Sequence, residues 1–222
     1  MLCQAGPTGK CGRAKKKTRK IGSTPYLPGI VLNYGLKLDS PDEWLETVLA
    51  NFDEFLVDHA ANEKKASAAA LSMVAHYPDK VTLVETMVDL ALEELNHYRQ
   101  VLNLMRQRNL NPGPDEKDPY VNEIIKQVRR GTDHYFLDRL LSAAVIEARG
   151  AERFDLLGAA LDDFELRGFY KTLARSEHKH QELFVILART YFPNNEIDDR
   201  WQEWLQIEAS ILGSLTIRPR LH

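Results

Sequence analysis

The pattern Glu-x-x-His occurs twice in this chain, at Glu94-Leu95-Asn96-His97 and at Glu177-His178-Lys179-His180, and nowhere else. The chain has 17 glutamates and 7 histidines in 222 residues. Random placement of those residues gives roughly 0.5 matches. Each copy also has a lone glutamate about one helix length upstream: Glu63 precedes Glu94 by 31 positions, and Glu147 precedes Glu177 by 30. The two copies lie 83 residues apart and the upstream glutamates 84. Two halves of nearly equal length carrying the same three groups read as an internal duplication. Helix positions three and four apart share a face, so the Glu and His of each copy point the same way. One glutamate from each of two helices, with Glu-x-x-His from each of two others, is the ligand set of a carboxylate-bridged dimetal site in a four-helix bundle.

Helical phase strengthens that reading. The seam through Glu177 and His180 is otherwise Leu166, Tyr170, Leu173, Phe184, Leu187 and Tyr191, all apolar or aromatic. Glu94 and His97 share a seam with Met87, Leu90, Val101 and Leu104. Glu147 lies with Leu140, Ala144, Ala151 and Phe154, and Glu63 with Phe52, Leu56, His59, Ala66 and Ala70. Four carboxylates and two imidazoles thus occupy positions where a bundle expects apolar side chains. A buried charge costs several kcal/mol unless it is paired or binds metal, and two divalent cations offset four carboxylates. Alanines and a glycine near Glu63 and Glu147 (Ala60, Ala61, Ala66, Ala143, Ala144, Gly150, Ala151) leave room beside the ligands, although helix propensity alone also favours alanine.

Neighbouring polar residues read differently. Glu152 lies five positions after Glu147, well round the helix, and is expected to be a surface acid. His59, one turn before Glu63, reads first as a hydrogen-bonded core histidine and second as a partner of the Glu63 carboxylate. Tyr170 is expected to pack in the core, with pocket shaping or electron relay as the alternative. His76, His134, His178 and His222 have no partners evident in sequence.

The breaks in the pattern define the helices. Ser40-Pro41-Asp42-Glu43 has the form of a capping box with proline at the first helical position. It predicts a first helix over 41–76, ended by Tyr77-Pro78-Asp79, with Asp79 capping a second over 80–108. Asn109 to Pro114 is a clear break. A short connecting helix over 119–130, a third long helix over 132–161, a fourth over 163–192 and a final amphipathic one over 196–213 follow. The last carries Trp201 and Trp204, in the core or at an interface. The tail Arg218-Pro219-Arg220 is expected to be extended. No strand pattern occurs. The fold class is therefore all-α: a ferritin-like four-helix bundle with a long central crossover and an extra C-terminal helix.

Composition narrows the setting. The 44% hydrophobic content supports a core, and no apolar run reaches the length of a membrane span. No secretory leader is evident, since no apolar stretch follows the basic N-terminus. Both cysteines, Cys3 and Cys11, lie in the N-terminal segment, so neither disulfides nor a thiolate zinc site supports the body. A cytoplasmic location is expected. Residues 1–20 hold seven Lys/Arg and no acid, whereas residues 39–222 hold 21 Lys/Arg against 32 Asp/Glu, a formal −11. Residues 1–28 read as a basic, disordered extension, and 29–222 as the ferritin-like diiron domain.

Carboxylates and imidazoles without thiolates suit iron or manganese. Glu94 and Glu177 are taken to bridge two metals, His97 and His180 to complete one each, and Glu63 and Glu147 to be terminal, although the spacing does not itself distinguish bridging from terminal glutamates. Paired ferrous ions reduce dioxygen and abstract hydrogen from carbon, while the protein supplies open coordination, orientation and a dry pocket.

Four segments also carry a family resemblance: Asp58-His59-Ala60-Ala61-Asn62-Glu63-Lys64-Lys65-Ala66, Glu93-Glu94-Leu95-Asn96-His97-Tyr98, Ile146-Glu147-Ala148-Arg149-Gly150-Ala151-Glu152-Arg153 and Ser176-Glu177-His178-Lys179-His180. With the ending Leu215-Thr216-Ile217-Arg218-Pro219-Arg220-Leu221-His222, residues 40–222 resemble the tRNA-(ms2io6A)-hydroxylase family within the ferritin-like diiron superfamily. The basic extension before residue 28 departs from that family. The resemblance implies oxygen-dependent hydroxylation of the isopentenyl group of 2-methylthio-N6-isopentenyladenosine, beside the tRNA anticodon. It implies two iron ions, dioxygen as co-substrate and an external electron donor. The six catalytic and metal-binding positions match at Glu63, Glu94, His97, Glu147, Glu177 and His180. A body at −11 attracts a polyanion poorly, so a local basic contact is needed. Lys126, Arg129 and Arg130 are the expected RNA contact; Arg149 and Arg153 are among other cations that could gather at a bundle end but, having acids nearby, read first as part of a solvated mixed-charge face. The other readings are a rubrerythrin-like peroxide- or iron-handling oxidoreductase and a metal-free helical scaffold.

Overall fold

The computed structural model describes residues 35–222. The basic segment 1–28 lies outside the described residues. All regular structure among the described residues is helical: α1 Asp42–Ala50, α2 Phe52–His76, α3 Val81–Gln107, α4 Pro119–Lys126, α5 Thr132–Ala160, α6 Phe164–Tyr191 and α7 Asn194–Ser214. The four long helices α2, α3, α5 and α6 form the bundle, with α2 packed mainly on α3 and α5 on α6. Residues 108–131 cross from the first pair to the second and carry α4. This is the expected ferritin-like arrangement, and α7 is the extra helix, packed on α5 and α4.

The helix ends follow local chemistry in part. Asp118 caps α4 by accepting from the Val121 amide at 3.1 Å, with Pro119 in the first turn, and Asp163 caps α6 through Leu166 at 2.8 Å. Each such cap stabilises a helix by about 1 kcal/mol. Gly131 precedes α5 at φ 101°, a conformation that a Cβ makes costly.

Three expectations about helix ends fail. The predicted first helix is broken at Asn51, whose backbone leaves the helical region (φ −129°, ψ 43°) while its side-chain amide donates to the Thr47 carbonyl at 2.9 Å. Asparagine competes for backbone partners in this way. No capping box forms at Ser40. Its amide and hydroxyl both donate to the Glu152 carboxylate, each at 2.8 Å. Nor does Asp79 cap α3, which starts after Lys80 with no side-chain cap.

The tail is bound to the body rather than extended. The Trp44 indole donates to the Arg220 carbonyl at 2.9 Å, Arg153 donates to the Leu221 carbonyl at 2.6 Å, and the Leu221 amide donates to Asp58 at 2.8 Å. His222, expected to be without partners, stacks on Tyr120 with ring centroids 5.0 Å apart and pairs with Asp118 at 3.1 Å.

Apolar burial surrounds the middle of the bundle. Trp201 and Trp204 are fully buried and join Leu137, Leu140 and Phe184 in one cluster, so both tryptophans are core. Trp44, Phe55, Phe154 and Tyr170 form a second cluster. Each large side chain contributes about 1.5–3 kcal/mol.

Two predicted surface roles are overturned. Arg149 is fully buried, and donates to Glu208 at 2.9 Å, to Glu152 at 3.0 Å and to the Leu38 carbonyl at 2.6 Å. Arg153 is buried beside it and lies over Trp44. Neither can gather at a surface for RNA. Glu152 is half-buried and holds Ser40, so it is not a surface acid. These partners are distant in sequence, and the helical pattern carries no sign of them.

Candidate metal centre

Helix periodicity delivers the six groups to one place. α2 carries Glu63, α3 carries Glu94 and His97, α5 carries Glu147, and α6 carries Glu177 and His180. Five of them are at most 6% exposed, and the Glu147 side chain is 13% exposed. They form two overlapping groups, Glu63–Glu94–His97–Glu177 and Glu94–Glu147–Glu177–His180. Within each group the ligand atoms lie within 4.8 Å of one another, the spread expected about a common centre some 2.0–2.5 Å away. Glu94 and Glu177 belong to both groups.

The imidazoles face inward through Nδ1. In His97 it lies 3.4 Å from Glu94, 3.6 Å from Glu63 and 3.9 Å from Glu177. In His180 it lies 2.9 Å from Glu94 and 3.3 Å from Glu177. Glu94 Oε1 and His97 Nδ1 are buried and make no well-aligned hydrogen bond, although Glu94 Oε1 lies 2.9 Å from His180 Nδ1. Unsatisfied ligand atoms deep in a core are costly. Their convergence with an all-oxygen and imidazole donor set fits a pair of hard divalent cations.

Proton affinities show the same crowding. Burial pushes the Glu177 carboxyl well up, and the charges of Glu147 and Glu94 push it further. Burial raises Glu94 to about 7 despite His180 and His97. Burial also opposes ionisation of Glu63, but His59 and His97 outweigh it and hold Glu63 below the usual carboxylate range. For His97, burial is outweighed by Glu63 and Glu94, and the imidazole is raised to about 10. His180 is raised as well, burial again being outweighed by Glu147, Glu177 and Glu94. Without metal, protons occupy the centre.

A further set of residues fixes the ligands. His59 Nε2 is 2.7 Å from Glu63 Oε1, and its Nδ1 is 3.3 Å from Tyr170 Oη. Both of the roles weighed for His59 are therefore met in one side chain, and Tyr170 anchors it. On the other side His180 Nε2 lies 3.5 Å from Glu93, which accepts from Ser176 at 2.5 Å. The His59 contact orients the Glu63 carboxylate. Glu93 was missed in sequence, and its position next to Glu94 was the available sign.

A cavity of about 800 Å³ opens onto this cluster through Glu63, Glu94, Glu147 and Glu177, with Ala66, Ala70, Met73, Ile146 and Phe184 among its apolar walls. This is the size of a small-molecule site. The RNA contact expected at Lys126, Arg129 and Arg130 is divided. Lys126 pairs with Glu123. Arg129 pairs with buried Asp138 at 2.9 Å, which Arg200 also holds at 2.8 Å. Arg130 alone of the three lines the cavity.

Known proteins resemble this chain in sequence and in fold. A family model described as tRNA-(ms2io6A)-hydroxylase (MiaE) matches residues 30–222. A Pseudomonas putida protein named tRNA 2-(methylsulfanyl)-N(6)-isopentenyladenosine(37) hydroxylase is 39% identical over 152 residues, covering 68% of this chain and 74% of that protein. A Salmonella typhimurium protein of the same name is 32% identical over 165 residues, covering 74% of this chain and 60% of that protein. Among solved structures, a Synechococcus protein described as having aldehyde deformylating oxygenase activity superposes with a TM-score of 0.80 at 34% identity, covering 84% of this chain and 94% of that one.

Proposed function

The chain belongs to the tRNA-(ms2io6A)-hydroxylase family, and from that premise we propose that it hydroxylates the isopentenyl group of 2-methylthio-N6-isopentenyladenosine in tRNA as an oxygen-dependent diiron monooxygenase. The observation that carries the metal assignment is the sharing of Glu94 and Glu177 between two ligand groups. On this reading Glu63, Glu94, His97 and Glu177 would hold one iron and Glu94, Glu147, Glu177 and His180 the other, with Glu94 and Glu177 common to both groups. Two iron ions bound there would supply the oxidising chemistry for dioxygen activation, with electrons from an external donor.

The protein's own residues prepare that chemistry. His59 and Tyr170 hold Glu63, and Glu93 lies beside His180. The apolar cavity walls keep water from the reacting carbon and orient a five-carbon substituent toward the cluster. No described helix is long and apolar enough to cross a membrane, and a tRNA substrate suits the cytoplasm.

The test is nucleoside mass spectrometry of tRNA from cells lacking the gene, with and without its restoration. A gene-dependent gain of one oxygen on the isopentenyladenosine species, lost in Glu94→Ala, is expected. No gain with the diiron centre intact would favour a peroxide- or iron-handling protein.

A further inference from the structure

The cavity above the cluster changes character at its outer end. Exposed Arg130 and half-buried Tyr135 and Arg139 line it there. Arg139 lies against Tyr135, with Nη1 3.4 Å from the phenol oxygen and the guanidinium 5.9 Å from the ring centroid. Neither Arg130 nor Arg139 forms an ion pair among the described residues. The cavity acids outside the metal-ligand cluster are already engaged: Asp115 with Lys64, Glu116 with Arg220, and Asp118 with His222. The outer end therefore presents uncompensated positive charge beside an aromatic ring, although the body carries a net negative charge.

Distance along α5 relates this end to the cluster. At the helical rise, Arg139 stands about 12 Å from Glu147 along the axis, and Tyr135 about 18 Å. An adenosine nucleotide with an extended five-carbon N6 substituent covers such a span. Single-stranded bases are held by stacking on aromatic rings, and the backbone by arginine.

We propose that Tyr135, Arg130 and Arg139 form a nucleotide seat at the cavity mouth. Tyr135 stacks on the adenine ring of the modified nucleotide, and the two arginines hold its flanking phosphates. The N6 substituent then enters the apolar cavity and reaches the metal-ligand cluster. This rests on the tRNA-hydroxylase reading above, and it moves the RNA contact from Lys126 and Arg129 to the start of α5.

The test measures binding of an anticodon stem-loop RNA carrying the prenylated adenosine by fluorescence anisotropy over a range of salt, alongside hydroxylation of the same RNA by the iron-loaded full chain. Arg130→Glu/Arg139→Glu is expected to weaken binding about tenfold or more and to reduce the salt slope by about two. Arg175→Glu, the same charge change at an exposed α6 position outside the cavity, is expected to bind within about twofold of wild type. Tyr135→Ala is expected to lose affinity for the prenylated RNA, and Tyr135→Phe to retain it. All these positions are partly or fully exposed, and melting temperature reports whether each variant is folded. Wild-type affinity and salt slope in the double arginine variant, with wild-type protein modifying the RNA, would overturn the seat alone. Failure of wild-type protein to modify the RNA would overturn the underlying reading and the seat with it.

Discussion

At the scale of single residues, the centre holds four acids and two imidazoles in a space that only cations make favourable. Glu94→Ala and His180→Ala are each expected to lose bound iron, measured by elemental analysis of the purified variants. Near-normal iron in both would reject the ligand set. The proton affinities also set a pH dependence. His97 is raised from 6.5 to about 10, so its contribution to metal-free stability is complete below 6.5 and lost as pH rises through 10. Glu94 is raised from 4.5 to about 7, so its ionisation costs stability as pH climbs across that interval. Metal requires both groups deprotonated. Ferrous-ion affinity is therefore expected to rise between pH 5 and 8, by up to about tenfold per unit for each proton released. Competition titration at several pH values, with proton release followed in weak buffer, measures this. The convergence of the six proposed ligands was legible in the sequence because helical phase alone aligns them. Glu93, His59 and Tyr170 were less so, because their roles depend on which neighbour each meets across the bundle.

At the scale of elements, the long helices from α3 on were legible to within a residue or two, but the connecting helix expected over 119–130 ends at Lys126, and the side-chain chemistry at helix ends was not legible. The break at Asn51 and the diversion of Ser40 to Glu152 both follow from side chains finding partners other than those nearest in sequence. The interior arginines were illegible for the same reason, since Glu208 lies 59 positions from Arg149. Arg149→Ala leaves Glu208 buried without its cation. It is expected to cost about 3–5 kcal/mol, and a fall in melting temperature of roughly 10 °C or more checks it. The packing of α5 on α6 is tight at one point. A Cβ on Gly158 would meet Lys171 Cγ at 2.7 Å and the Lys171 backbone nitrogen at 3.2 Å. Gly158→Ala is expected to destabilise by about 1–3 kcal/mol in a denaturant titration, because the backbone of α6 must give way as well as a flexible side chain.

At the scale of the whole molecule, charge was the least legible property. A formal −11 over residues 39–222 argues against RNA, but the sum does not show which cations are consumed inside. Arg149, Arg153 and Arg200 are buried, while Arg130 and Arg139 remain uncompensated at the cavity mouth. The local field there, rather than the total, governs a polyanion's approach. The duplication has a whole-molecule consequence too. Each ligand group draws on both halves, Glu177 joining the α2–α3 set and Glu94 the α5–α6 set, while the backbones of α3 and α6 approach one another at few places. On the proposed reading, iron bound there would act as a rivet between two hairpins as well as a reagent. Amide hydrogen exchange is expected to show one cooperative unit in the iron-loaded protein. Without iron, it is expected to show two hairpins opening separately, with the largest loss of protection around Glu94 and Glu177. Iron supply would then govern the lifetime of the folded chain as well as its turnover.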